Sequence, residues 1–307
     1  MKFVTFENNE QKKRAGILVG TEYVVDVAIA SNGVLPNNML EIIESYETFL
    51  PILSVIENYT NQDKGVYSLS EVKLMAPLPN PRSFRDFYAF EQHVKTARSN
   101  RGLEMIPEWY EIPVFYFSNH LVMKGPEELI ERPKQCYWLD YELEIACIIG
   151  KEGRDILRDQ ADDYIFGYCI LNDWSARDLQ RKEMLVGLGP AKGKDFATSI
   201  GPYILTKDEL LDAISGKGFN INMTAKVNGV LLSEGNMKDL FYSFGEMIER
   251  ASDGVTLFPG EIIGSGTVGS GCILELGQEV HSWLEPGDLV ELEIEKLGVL
   301  RNKIAEG

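Results

Sequence analysis

Short alternations of apolar and polar residues predict strands at residues 2–6, 15–19 and 23–27, because every second side chain of a strand shares a face. Helical spacing takes over at 39–46 and 49–58, and a strand returns near 66–74. The segment Ala76-Pro77-Leu78-Pro79-Asn80-Pro81 interrupts both periods, since such a density of proline suits neither a helix nor a central strand. The break predicts a small N-terminal α+β domain over 1–75 and a larger domain over 76–307, mainly β with some α. In the larger part, residues 165–172 read as a buried strand and 290–294 as another near the end. Residues 221–227 alternate into Asn228-Gly229, the strongest short hairpin signal. Leu240, Phe241, Phe244, Met247 and Ile248 make a helical apolar stripe suited to the core. The chain shows no internal repeat.

In Leu139-Asp140-Tyr141-Glu142-Leu143-Glu144-Ile145, two leucine-type positions alternate with Glu142 and Glu144, so both carboxylates point one way. The run then continues as Ala146-Cys147-Ile148-Ile149, which reads as buried. Two like charges carried into an interior are costly unless something positive compensates. A solvated face on an edge strand is one reading. A hard divalent cation is the other, because Mg²⁺ and Ca²⁺ take oxygen ligands.

Asp173 closes the apolar run 165–172 and precedes Trp174-Ser175-Ala176-Arg177-Asp178-Leu179-Gln180, which reads as a helix. An N-cap is the ordinary use of an Asp there. Arg177 and Gln180 nonetheless lie on one helix face near it. Asp86 sits among Phe84, Phe87, Tyr88 and Phe90, unusual company for a solvated Asp, and His93 follows. Only His93, His120 and His281 are histidines.

Thirty basic and 47 acidic residues leave a net charge of −17, which argues against a nucleic-acid backbone or an anionic membrane as partner. The first residues do not read as a signal peptide, and no apolar run approaches the roughly 20 residues of a membrane span. Cys136, Cys147, Cys169 and Cys272 lack CxxC spacing, so reduced thiols in a cytoplasmic protein are expected. Gly187 to Lys194 lacks the Walker spacing, with Leu188 and Asp195 at deciding positions. Gly264-Ser265-Gly266-Thr267-Val268-Gly269 has dinucleotide-fingerprint spacing without a following helix, and reads as a tight turn.

Taken in order, Asp86-Phe87-Tyr88 with His93, the 139–144 stretch, Leu171-Asn172-Asp173-Trp174-Ser175-Ala176-Arg177-Asp178-Leu179-Gln180, Gly193-Lys194-Asp195-Phe196-Ala197-Thr198, Gly264-Ser265-Gly266-Thr267-Val268, Leu274-Glu275-Leu276 and Gly298-Val299-Leu300-Arg301-Asn302 resemble the fumarylacetoacetate hydrolase family. The resemblance covers roughly residues 77–304, and the Asn-Asp-Trp-Ser-Ala-Arg-Asp run is its most specific part. It implies a fumarylacetoacetase-like mixed β-sandwich roll or barrel and a homodimer. It also implies a divalent cation, Mg²⁺ with Mn²⁺ or Ca²⁺ as alternatives, held by Asp86, Glu142, Glu144 and Asp173. His93 matches the catalytic histidine and Glu275 the carboxylate that orients it. Arg177, Gln180 and Lys194 match substrate-side positions, as do Tyr88, Arg101 and Thr267 more loosely, with Arg98 competing for the slot of Arg101.

Two departures bear on the substrate: Met184 replaces a substrate-binding Tyr, and Asn119 stands where many small bacterial members have Lys. The first implied function is hydrolysis of a C–C bond in a ketonic substrate, an acylpyruvate or fumarylacetoacetate-type diketo acid, as in aromatic compound catabolism. The second is decarboxylation or keto–enol isomerisation of a keto acid, of the oxaloacetate decarboxylase or 2-hydroxyhepta-2,4-diene-1,7-dioate isomerase type. These lack water activation and so depend less on His93 and Glu275. The third is a non-catalytic cation-binding protein.

Overall fold

The computed structural model describes residues 1–306. Its centre is a twelve-stranded sheet. Along the sheet lie Val66–Ser68, Tyr23–Asp26, Lys13–Val19, Lys2–Glu7, Thr198–Thr206, Ile165–Asp173, Leu143–Ile149, Ile262–Gly264, Phe84–Phe87 and Phe115–Phe117, with two short strands attached to its flank. The N-terminal strands therefore continue the main sheet, through Lys2↔Leu205 and Phe3↔Ile204. A separate four-stranded sheet is built from Val230–Asn236, Asn222–Val227, Leu289–Ile294 and Gly298–Lys303. The result is sheet-dominant with some helices, as the sequence predicts.

The centre of the large sheet is buried on both faces, and the strand Leu143–Ile149 shows how. Ile145, Cys147 and Ile149 enter the core shared with the small sheet and the helix Phe244–Ser252. Ala146 and Ile148 enter a second core, beneath the helices Met39–Glu44 and Tyr46–Ile56. Such a strand reads as a continuous apolar run because neither face is wet. Phe84, Cys169 and Leu171 lie in the second core too. By the two-residue period of a strand, Asp86, Glu144 and Asp173 are the next positions on that same face. The site begins where this core stops.

Several local expectations shift. Asp173 ends a strand, and the helix starts only at Arg177 and runs to Val186. Trp174 is fully buried and its indole N–H donates to Ser199 Oγ at 2.8 Å, which keeps the chain extended. Ser175–Ala176 then pairs with Leu139–Asp140. Leu240 and Phe241 precede the helix Phe244–Ser252, whose start is fixed by a capping box between Ser243 and Glu246. The strand expected at 66–74 is split by a 3₁₀ turn at Leu69–Glu71. Asn228 and Gly229 both have positive φ, 51° and 79°, and close the expected hairpin. All four cysteines are buried and free. Among the described residues, no helix is long and apolar enough to cross a membrane.

Candidate active site

Three strands of the large sheet deliver the acidic residues, with Ile262–Gly264 lying between two of them. Glu144 lies opposite Leu171 and Ala146 opposite Gly264, which in turn lies opposite Asp86. Gly264 has to be bare, because a Cβ there would stand 2.4 Å from Asp86 Oδ1. Gly266, at φ +76°, turns its N–H to the same oxygen at 3.2 Å. Glu142 lies just before its strand, where its N–H donates to Asn172 Oδ1 at 2.9 Å. One carboxylate oxygen from each of Asp86, Glu142 and Glu144 falls within 4.8 Å of the others. Glu144 and Asp173 have no exposure, and Asp86 and Glu142 keep 3% and 5%, so the cluster meets solvent only at its edge.

Asp173 stands beside this group and is already engaged. Lys194 Nζ donates to Asp173 Oδ2 at 2.7 Å and also to Glu142 Oε2. The Tyr116 hydroxyl donates to Asp173 Oδ2 as well. Arg177 reaches Glu142 Oε1 at 2.8 Å through Nη2, Asp140 Oδ2 at 2.8 Å through Nε, and Gln180 Oε1 at 3.2 Å through Nη1. Asp140 in turn accepts from the N–H groups of Ile273 and Leu274. A truss thus runs from Glu142 through Arg177 and Asp140 to the short helix Ile273–Leu276, which carries Glu275.

The charge states divide accordingly. Burial pushes Glu142 up, yet Lys194 and Arg177 outweigh it and hold the carboxyl at about 2. Burial, with Asp86 and Glu142 nearby, holds Glu144 well above the carboxylate range. Asp86 is raised for the same reason, burial first and then Asp173. Lys194 is raised despite its burial, by Asp173 and Glu142. Thr267 Oγ1 donates to Glu144 Oε1 at 3.3 Å, but the buried Oε2 has no partner. An unpaired buried carboxylate oxygen within an all-oxygen set fits a hard dication.

The imidazole lies next to this cluster. His93, in the helix Glu91–Ser99, bonds through Nδ1 to Glu275 Oε1 at 2.5 Å, across 182 residues of sequence. Ser270 N–H holds Glu275 Oε2 at 3.0 Å, and the Tyr88 ring meets the imidazole edge-on at 5.3 Å. A charge on His93 would act on Glu142, so the two groups face one site. Burial raises Tyr88 to about 12, with Arg101 near enough to oppose the rise; Arg101 itself is exposed and its Nε donates to the carbonyl of Ala97 at 2.9 Å. Arg98 turns to the carbonyl of Glu104. Met184 is 46% exposed on the helix beyond Gln180. Asn119 bonds the carbonyl of Asp195 and lies outside the acidic cluster. A cavity of about 870 Å³ lies elsewhere, lined by Tyr46, Arg82, Phe166 and Lys207 among others.

A model of the fumarylacetoacetate (FAA) hydrolase C-terminal region matches residues 82–305. The chain belongs to the fumarylacetoacetate hydrolase family. Within it, the chain is 30% identical over 319 aligned positions to the oxaloacetate tautomerase YisK of Bacillus subtilis, covering 99% of this chain and 100% of that one. A fumarylacetoacetate hydrolase from Exiguobacterium antarcticum superposes with TM-score 0.76 at 27% identity, over 100% of both chains. The maleylpyruvate hydrolase of Sphingobium sp. SYK-6, solved with manganese(II) ion and pyruvate, shares the fold with TM-score 0.73 at 23% identity, again over 100% of both.

Sequence reasoning passed over Tyr116, Asn172 and Asp140 as members of the site. Asp140 and Asn172 stand inside motifs singled out above, and their alternation with buried neighbours was the available signal. Tyr116 had none.

Proposed function

We propose that this protein is a divalent-cation-dependent enzyme of short 2-keto acids, and that its first reaction is keto–enol interconversion of a 2-keto dicarboxylate of the oxaloacetate type. The observation that carries the reading is the imidazole–carboxylate pair His93–Glu275 beside a buried carboxylate cluster with an unpaired oxygen. Asp86, Glu142 and Glu144 would hold the ion, with Asp173 beside them. Mg²⁺ or Mn²⁺ suits the donor set. When bound, the cation lowers the cost of negative charge on a substrate oxygen.

His93 moves the proton. Its Nδ1 is bonded to Glu275, which fixes the ring and favours the tautomer with a free Nε2. Nε2 takes a proton from the carbon next to the keto group and delivers it to the resulting enolate oxygen, and on the reverse path it takes the hydroxyl proton and returns it to the carbon. Lys194 and Arg177 keep Glu142 ionised. Arg101, beside Tyr88, offers a guanidinium to the distal substrate carboxylate.

Hydrolysis of an acylpyruvate is the second reading, favoured by the same dyad, since a base that removes a carbon-bound proton also activates water. The whole-length likeness to a tautomerase supports placing interconversion first. Hydrolysis also requires everything interconversion does, and a positioned water besides. With His93 as the proton carrier, the weaker dependence on His93 expected of isomerisation from the sequence no longer separates the two readings, so the products decide. In Mg²⁺, the enol absorbance of oxaloacetate should relax faster with enzyme, and His93→Ala should slow this by about 10²–10⁴-fold. Release of acetate and pyruvate from acetylpyruvate at a higher kcat/KM than oxaloacetate interconversion reverses the order.

A further inference from the structure

A second cluster of donor atoms lies at the dyad itself. Cys272 is fully buried, and its Sγ stands 3.6 Å from Glu275 Oε1, the oxygen that also bonds His93. An imidazole nitrogen, the sulfur and a carboxylate oxygen all fall within 4.8 Å of one another. Ser270 fixes the far oxygen of Glu275, so the near one is held toward this group. Nothing in the proton transfer derived above uses Cys272.

We propose that His93, Cys272 and Glu275 form a separate site for a thiophilic dication, of the Zn²⁺ or Cd²⁺ kind, and that filling it stops the enzyme by capturing its base. Donor chemistry separates this site from the acidic cluster. The carboxylates of Asp86, Glu142 and Glu144 offer only hard oxygen, whereas nitrogen, sulfur and oxygen together select zinc-like ions. Bond lengths of about 2.0–2.3 Å to such an ion set its donors roughly 3–4 Å apart. The 3.6 Å sulfur–oxygen separation already agrees, and the 2.5 Å nitrogen–oxygen pair has only to open slightly.

Charge points the same way. A dication with a thiolate, a carboxylate and a neutral imidazole sums to zero, the condition a buried site tolerates best. The protons balance: the thiol releases one to solvent, and the imidazole proton passes from Nδ1 to Nε2 as Nδ1 takes the ion. With Nε2 protonated, the imidazole can no longer accept a proton from substrate. Three protein donors also leave a fourth position for water.

Binding is tested without reference to turnover, so its outcome is independent of the reaction proposed above; the inhibitory half rests on that reaction. With the full chain in saturating Mg²⁺, Cd²⁺ titration should raise one equivalent of cadmium–thiolate charge-transfer absorbance. Cys272→Ala should abolish it. Cys272→Ser, closer in volume, serves the same purpose if the alanine variant does not fold. Absence of the band in the wild type, or equal bands in wild type and variant, overturns the site. In turnover, Zn²⁺ should inhibit the wild type reversibly, and Cys272→Ala should need at least ~10-fold more, every tenfold being about 1.4 kcal/mol of binding. Equal Zn²⁺ sensitivity overturns the inhibitory role.

Discussion

Glu142 and Glu144 stand two residues apart and meet in one cluster, yet they titrate in opposite directions. Glu142 has two buried cations, Lys194 and Arg177, within salt-bridge distance. Glu144 has a threonine hydroxyl on one oxygen and nothing on the other. The difference divides the acidic site into a half neutralised by the chain and a half, Asp86 with Glu144, left for something the chain does not supply. Burial is common to both halves, so counter-charge alone sets the contrast.

The largest effect is expected from breaking the neutralised half. Lys194→Met leaves Asp173 without its buried cation and Glu142 with Arg177 alone, and should lower unfolding free energy by about 3–5 kcal/mol in chelator. Urea denaturation measures it, and a loss below ~1 kcal/mol would show that Lys194 is not their counter-charge.

The other half answers to Glu144→Gln. Removing this carboxylate should weaken Mn²⁺ binding by at least ~100-fold, about 2.7 kcal/mol, while the metal-free chain becomes more stable at neutral pH because a carboxyl that burial forces away from its preferred ionised state is gone. Calorimetric titration of both proteins decides, and equal affinities would remove Glu144 from the cation site.

Stability against pH sharpens the contrast further. The raised carboxyls of Asp86 and Glu144 stay protonated in the fold after the unfolded chain has ionised at about pH 4. The metal-free protein therefore loses stability as pH rises through that window, by up to about 1.4 kcal/mol per pH unit for each group. Glu142 contributes with the opposite sign: held at about 2, its stabilisation is complete above the unfolded value and disappears as pH falls toward 2. Melting curves in chelator should thus decline toward neutral pH. With saturating Mg²⁺ that decline should flatten, and identical profiles would deny the cation its place.

The smallest effect concerns Tyr116, whose hydroxyl donates to Asp173. Tyr116→Phe should cost about 1 kcal/mol of stability and change Mn²⁺ affinity less than Glu144→Gln does. A larger change than Glu144→Gln produces would move Tyr116 from support to ligand.

Much of the cluster was legible because carboxylates among apolar neighbours contradict the hydrophobic pattern. Glu142, Glu144, Asp86 and Asp173 each stand out in this way, and the run Ala146 to Ile149 reads as buried from the sequence alone. What defeated local reasoning was tertiary. Trp174 looked helical, but its burial and its bond to Ser199 override propensity. Asp140 carried no mark of its clamp to Arg177 and to residues 273–274, since those partners are 37 and more than 130 positions away. The pairing of Lys2–Glu7 with Thr198–Thr206 was invisible for the same reason. Which of Arg98 and Arg101 lies near Tyr88 depends on side-chain direction, about which spacing says little.

The strand Ile262–Gly264 lies between Leu143–Ile149 and Phe84–Phe87, and this position sets a timetable. A ribosome delivers Asp86 first and the central strand next, but the piece that joins them follows more than a hundred residues later. Until then Phe84–Phe87 and Phe115–Phe117 can pair only with each other, and a lone two-stranded ribbon is marginal in water. Glu275 emerges later still. The nascent chain must therefore carry its acidic residues unassembled through most of synthesis, with long-range pairing as the slow, aggregation-exposed step. Cation capture is then a late event, and its appearance would report that the last strand of the large sheet has been seated.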